Sequence, residues 1–293
     1  MLISYNEPLY RPPSEGRNLI VQATLGCSFN RCTFCSMYKT KSYIARPIEI
    51  VSAEIEAMAR VYPEADRVFL ADGDALVLPT DHLVQLLDVL HENFSNLTRV
   101  SCYAMPKNLN DKTPEELALL RSKGLKLVYL GIESGSNLIL KRIIKGASQK
   151  THISAIKRAR DANIKISATV ILGLGGQADW QAHIQGTAEL INKAAPNYLS
   201  TLQLMLDEGS YQEFMAQQPD DFCLQDDDGI LAEQEMLLTL LAPQSPVIFR
   251  SNHASNCLAL AGNLPRDKNR LIAEIAATRL GENSVRPSYL RSL

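Results

Sequence analysis

The chain has 293 residues, 46% of them hydrophobic and 21% charged, with a formal net charge of −2. That is ordinary globular composition, long enough for a large core, and without a basic stripe it argues against broad electrostatic capture of nucleic acid. No run of eighteen apolar residues is present to span a membrane as a helix.

The N-terminal stretch MLISYNEPLYRPPSEGRN has neither a basic n-region nor a long apolar run, so it does not read as a signal peptide. Residues 1–18 are taken as a lead-in, and the expected location is the cytoplasm. Thiols there stay reduced, so clustered cysteines read as metal-binding or catalytic.

From residue 19 onward, short apolar runs alternate with longer amphipathic ones. The runs are LIVQAT (19–24), RVFLA (67–71), RVSCYA (99–104), KLVYLGI (126–132), KISATVILGL (165–174) and YLSTLQLM (198–205). Near-continuous runs rich in Val, Ile, Leu and Tyr are how strands buried on both faces of a parallel sheet read. Between them, EIVSAEIEAMARV, TPEELALLRSKG, QKTHISAIKRARDAN and DWQAHIQGTAELINKA predict helices. In TPEELALLRSKG, Thr113 is the expected N-cap, Pro114 opens the first turn, Glu116 completes a capping box and Gly124 is the stop. His82, His91, His152 and His183 fall in predicted helices and are expected on the surface.

Six β-α units imply a parallel sheet with right-handed crossovers. They are short of the eight that close a full barrel, so the pattern fits either an open doubly wound sheet or a partial barrel. Both place chemistry at the C-terminal ends of the strands. Residues 19–205 form the predicted core. Residues 206–293 read as an extension packed on it: an acidic loop with some helix, a helix near 229–241, the short run VIFRS (247–251) and a last helix at 266–280.

The first strand runs straight into GCSFNRCTFCSMY (26–38), which holds Cys27, Cys32 and Cys35. A structural zinc site wants four closed ligands. The other cysteines, Cys102, Cys223 and Cys257, are single and scattered, and no histidine lies within twenty residues. Three thiolates without a fourth ligand suit a cubane iron–sulfur cluster with one iron left open for chemistry.

GCSFNRCTFCSMY resembles the cluster loop of the radical S-adenosylmethionine (SAM) superfamily. The family usually has three residues between its first two cysteines; here there are four, Ser28 to Arg31. The resemblance implies a partial (β/α)6 TIM-like barrel. It also implies a [4Fe–4S] cluster on Cys27, Cys32 and Cys35, whose open iron chelates SAM, and it sets Phe34 against the adenine. The stretch FLADGDAL then supplies Asp72, Gly73 and Asp74 where the family binds the amino group of SAM, a charge-assisted contact for a carboxylate. LGIESGS supplies Glu133 for the ribose hydroxyls. In VILGLGGQADW, Gly173 and Gly175 let backbone pass close to the cofactor. Lys141, Arg142 and Lys145 of KRIIKG offer a partner for the SAM carboxylate, although a solvated helix face is the commoner explanation of such a run.

Gly173, Gly175 and Ala178 also satisfy G-x-G-x-x-A, so a NAD(P)-dependent oxidoreductase on an open sheet is the alternative enzyme. The fingerprint opens the fifth unit rather than the first, and no acid ends the next strand at the expected distance. A non-catalytic iron–sulfur or zinc protein is the third reading.

His253 lies in FRSNHASNC beside Asn252, Asn256 and Cys257. It is the candidate catalytic residue, expected to donate a proton or position substrate; the plainer expectation is a loop that caps the last helix. Tyr38, Lys39, Lys41 and Tyr103 are further cavity candidates, and Cys102 reads as a packed apolar residue. No cobalamin-binding, acetyltransferase or small RNA-binding domain is recognisable. The methylthiolating branch carries a further N-terminal cysteine domain, whereas 26 residues precede Cys27. The expected activity is reductive cleavage of SAM to a 5′-deoxyadenosyl radical that abstracts hydrogen from a small-molecule substrate. A flavodoxin- or ferredoxin-type donor would supply the electron.

Overall fold

The computed structural model describes residues 4–292. In chain order the strands are β1 (Leu19–Gln22), β2 (Thr24–Leu25), β3 (Ile44–Ala45), β4 (Arg67–Ala71), β5 (Arg99–Ala104), β6 (Leu125–Glu133), β7 (Lys165–Leu172), β8 (Tyr198–Gln203), β9 (Val247–Ser251) and β10 (Leu260–Leu264). The helices are α1 (Ile48–Val61), α2 (Thr80–Asn93), α3 (Pro106–Asp111), α4 (Pro114–Ser122), α5 (Asn137–Arg142), α6 (Gln149–Asp161), α7 (Gly176–Lys193), α8 (Glu208–Met215), α9 (Asp227–Leu240) and α10 (Lys268–Arg279). Eight strands make a mostly parallel sheet in the order β1-β4-β5-β6-β7-β8-β9-β10, and β2 pairs with β3 apart from it.

The chain divides into two units, passing between them on either side of Arg31–Ser36 and within β6, α6 and β7. The first holds Met37–Leu130, Lys157–Ile166 and the described part of Met1–Asn30. Here β1, β4, β5 and the start of β6 pair in parallel. Val21, Val68, Leu70, Val100 and Val128 are buried. The buried stripe of α1 is Val51, Ile55 and Met58, and that of α2 includes Leu83, Leu86, Leu87 and Leu90. These are three- and four-residue spacings, and each such side chain contributes roughly 1.5–3 kcal/mol when fully buried. The capping box of α4 forms as predicted: Glu116 N–H donates to Thr113 Oγ1 at 3.2 Å and Thr113 N–H to Glu116 Oε2 at 2.6 Å. From the lead-in, buried Glu15 accepts from Arg99 Nη2 at 2.9 Å and from the Tyr129 hydroxyl.

The second unit holds Arg31–Ser36, Gly131–Ile156 and the described part of Ser167–Leu293. β7, β8 and β9 pair in parallel and β10 returns antiparallel to β9, from Leu260↔Ser251 to Leu264↔Val247. The sequence reading has no strand at β10. Its residues, LAGNL, are weak strand formers, and it is the exposed edge of β9 that recruits them. α9 packs against both α7 and α10. Predicted strand bounds match at β4, β5 and β9. The first run is shorter than predicted. After Gln22 the chain turns off to pair Thr24 and Leu25 with Ala45 and Ile44, and Arg46 ties the branch by donating to the Gln22 carbonyl at 2.8 Å.

Candidate active site

In the first unit, the head of the cysteine loop is zipped to the turn after β4. Ala23 N–H donates to the Ala71 carbonyl (2.7 Å), Asp72 N–H to the Thr24 carbonyl (3.2 Å) and Gly73 N–H to the Gly26 carbonyl (3.1 Å). The carboxylate of Asp72 finishes the seam. Its Oδ1 accepts from Gln22 Nε2 at 3.1 Å, and its Oδ2 accepts from Gly26 N–H at 3.0 Å and Lys41 Nζ at 2.9 Å. Asp72 is fully buried, and so is Asp74, whose Oδ2 meets the Ser28 hydroxyl and Asn108 Nδ2. Gly73 sits between loop and turn. A Cβ there would come within 2.7 Å of the Tyr38 ring and 3.0 Å of the Cys27 Cβ. Only glycine lets the turn approach the cysteine this closely. Cys27, Asp72, Gly73 and Asp74 are therefore brought together, with Tyr38 buried behind them against Tyr10.

In the second unit, the rest of the loop rests on α5 and its exit. Thr33 N–H donates to the Ile143 carbonyl at 3.1 Å, and Cys35 N–H to the Cys32 carbonyl at 3.3 Å. Phe34 packs on a buried cluster of Ile139, Leu140, Ile143, Leu174, Phe214 and Phe222. Asp207 accepts from Ser36, which heads the causes that hold its carboxyl below the usual range.

Lys145 corrects the solvated-face reading of KRIIKG. Its ammonium is buried, lies 2.9 Å from Glu133 Oε1 and faces Cys32 and Cys35. Burial opposes its charge, but Glu133 and the two cysteines outweigh burial and raise its pKa. Arg142 instead pairs with Asp179, and Lys141 is exposed. Gly131 clears the space for the pair: a Cβ there would fall 2.0 Å from Glu133 Oε1 and 2.9 Å from Lys145 Nζ.

His152 and His183, expected on the surface, are both fully buried. His152 sits between the Ser148 and Gly131 carbonyls, at 3.2 and 3.3 Å, and burial lowers its pKa to about 3. His183 bridges Ser134 Oγ and the Ile171 carbonyl, and burial lowers its pKa to about 4. Glu233, which sequence reasoning missed, accepts from Gly173 N–H at 2.7 Å. Burial raises its pKa to about 7.

Gly173 adopts φ +90, and a Cβ there would meet Ile230 at 3.0 Å; Gly175 is the N-cap of α7. Their steric need is thus met within the protein itself. His253 lies past the end of β9, half-buried. Its Nδ1 accepts from Ser255 N–H at 3.2 Å, which leaves the proton of the neutral ring on Nε2. Asn256 donates to the Thr201 carbonyl and Ser251 Oγ, both at 2.8 Å, and accepts from Gln203 N–H at 2.7 Å. This polar knot ties β8 to β9. It does not cap the last helix, whose N-cap is Asp267. Cys102 and Cys257 are buried and Cys223 is exposed.

Three free thiols suit a thiolate-bound cluster by their chemistry, although among the described residues no three His, Cys, Asp or Glu side chains converge as a group that could hold a metal ion. Cys27, Cys32 and Cys35 are partly exposed, unbridged thiols on one loop, and a buried ammonium faces two of them. Among the described residues, no helix is long and apolar enough to cross a membrane.

The profile of the Radical SAM superfamily matches residues 21–190, more than half of the chain. A Methanocaldococcus jannaschii protein, named provisionally as a methylthiotransferase, is 30% identical over 183 residues, 57% of this chain and 39% of its own length. The ribosomal protein uS12 methylthiotransferase RimO of Clostridium botulinum is 24% identical over 211 residues, 69% of this chain and 46% of its own. The chain thus spans less than half the length of both relatives. In fold it is similar to coproporphyrinogen III oxidase HemN from Escherichia coli, with a TM-score of 0.57 at 16% identity, covering 76% of this chain and 52% of that one. The architecture is that partial (β/α) barrel. The profile match decides for this family over the nicotinamide-dependent alternative.

Proposed function

The chain belongs to the radical S-adenosylmethionine superfamily, enzymes that use a [4Fe–4S] cluster and SAM, and on that premise we propose that Cys27, Cys32 and Cys35 hold the cluster. The loop that carries them is the observation on which this rests. It is sealed to the turn after β4 by Asp72 and Gly73, and its second half lies beside the buried Lys145. When bound, the cluster supplies the electron that cleaves SAM to methionine and a 5′-deoxyadenosyl radical, which abstracts hydrogen from substrate.

The chain's own residues bind and orient. Gly73 and Asp74 present the turn to the amino group of SAM, while Asp72, with both oxygens already engaged, holds the loop in place. Phe34 stacks by the adenine and Glu133 grips the ribose. Gly173 and Gly175 give the backbone a close approach. Lys145 pairs with Glu133 and orients it. His253, with its proton on Nε2, positions substrate or donates to it. The substrate is a small molecule, the electron comes from a flavodoxin- or ferredoxin-type protein, and the setting is the cytoplasm. The methylthiotransferase relatives support the shared core and leave the bond made or broken open to experiment.

Anaerobic reconstitution with iron and sulfide tests the ligand set. Wild-type protein should take up about four irons per chain. Cys27→Ala, Cys32→Ala and Cys35→Ala should each lose most of them, while Cys102→Ala and Cys223→Ala should not. Full loading of the three loop variants would refute the assignment.

A further inference from the structure

Glu133 holds φ +61. A left-handed backbone costs a non-glycine residue roughly 1–2 kcal/mol and persists only where its surroundings over-determine it. One face of α7 meets the turn that follows. His183 Nδ1 lies 2.8 Å from Ser134 Oγ, and its Nε2 lies 3.0 Å from the Ile171 carbonyl oxygen. A carbonyl only accepts, so Nε2 carries the proton and Nδ1 accepts from the Ser134 hydroxyl. Ser134 Oγ in turn accepts from Ser136 N–H at 3.0 Å.

Three and four residues along the same helix face, Gly186 and Thr187 complete the clamp. Thr187 Oγ1 accepts from Gly135 N–H at 2.8 Å, and a Cβ on Gly186 would come within 2.9 Å of the Gly135 backbone. On its other side, His183 Nε2 lies 4.0 Å from Glu233 Oε2, the acceptor for Gly173 N–H. One buried ring therefore joins the turn carrying Glu133 to the end of β7, two residues before Gly173.

We propose that His183 is a positioning residue that locks the Glu133 turn to the end of β7, and so presets the grip on the nucleoside half of SAM. It acts through Ser134 and touches no reacting atom. The proposal rests on the family reading of Glu133 above.

Two measurements test it. In cluster-free protein, amide exchange over residues 133–136 reports the lock itself. In reconstituted protein, calorimetry gives dissociation constants for SAM and for 5′-deoxyadenosine, which carries the nucleoside alone. Ser134→Ala, and His183→Gln, which keeps a donor for Ile171 but loses the acceptor at the Nδ1 position, should speed the exchange. Both should weaken SAM and 5′-deoxyadenosine tenfold or more, with iron content and the cluster absorption spectrum unchanged. His183→Asn keeps that acceptor but loses the donor to Ile171, so it too should speed the exchange and weaken both ligands. If His183→Gln fails to fold, Ser134→Ala, which removes one buried oxygen, carries the test alone. Wild-type affinity for both ligands in Ser134→Ala would overturn the proposal while leaving the family reading intact. Wild-type protein that loads its cluster and binds neither ligand would overturn both.

Discussion

Lys145 Nζ lies 2.9 Å from Glu133 Oε1, with both side chains nearly closed to solvent. Charges buried this deeply depend on one another, because neither is hydrated. Lys145→Met should therefore cost about 3–5 kcal/mol of stability in cluster-free protein by leaving a carboxylate uncompensated. The double variant Glu133→Gln/Lys145→Met should recover part of that. Urea unfolding of the two single variants and the double variant measures the coupling, and additive effects would contradict the pairing.

Acid should loosen the second unit through its two buried histidines. Their pKa values fall from 6.5 to about 3 for His152 and about 4 for His183. A depressed pKa contributes stability that is complete above 6.5 and lost as pH falls toward the folded value. For His183 that loss is roughly 3 kcal/mol. His183→Asn should be less stable than wild type at pH 7, and the gap should narrow as the pH is taken from 6.5 to 4. Urea midpoints across that range give the slope.

Glu233 has the opposite sign. Its pKa rises from 4.5 to about 7 because burial disfavours the carboxylate. The stability linked to it is complete below pH 4.5 and is lost as pH rises through 7. Glu233→Gln keeps an acceptor for Gly173 N–H without the charge. It should gain on wild type by up to roughly 3 kcal/mol between pH 5 and pH 8. A difference that stays flat with pH would contradict the buried-acid account.

Gly73→Ala should disturb the cysteine loop. The added Cβ meets the buried Tyr38 ring at 2.7 Å and the Cys27 Cβ at 3.0 Å. Overpacking of this kind costs about 1–3 kcal/mol. Iron uptake on reconstitution should fall, whereas Gly281→Ala, with nothing within 4 Å of its Cβ, should load normally. Equal loading would mean that the seam between loop and turn does not govern the site.

Much of the site could be read in the sequence because it lies at strand ends, and the strands announce themselves as apolar runs. RVFLA and RVSCYA give β4 and β5 to the residue, and each candidate turn follows its strand. The buried histidines were also within reach. His152, Ala155, Ile156 and Ala159 form one i, i+3, i+4, i+7 stripe, and His183 precedes Thr187 by one turn on the buried face of α7. The usual preference of histidine for the surface masks them. Lys145 was harder to see. α5 ends at Arg142, and positive φ at Ile144 and Gly146 turns the chain so that Lys145 points inward, a backbone event without a periodic signature. Glu233 was out of reach, since its partner Gly173 is sixty residues away.

The cysteine loop is expected to support reductive chemistry on SAM. Protein reconstituted anaerobically, reduced with dithionite and given SAM should release 5′-deoxyadenosine and methionine, and Cys35→Ala should release neither. Zinc in place of a cluster, or a loaded and reducible cluster whose spectrum SAM leaves unchanged and which yields neither product, would contradict it.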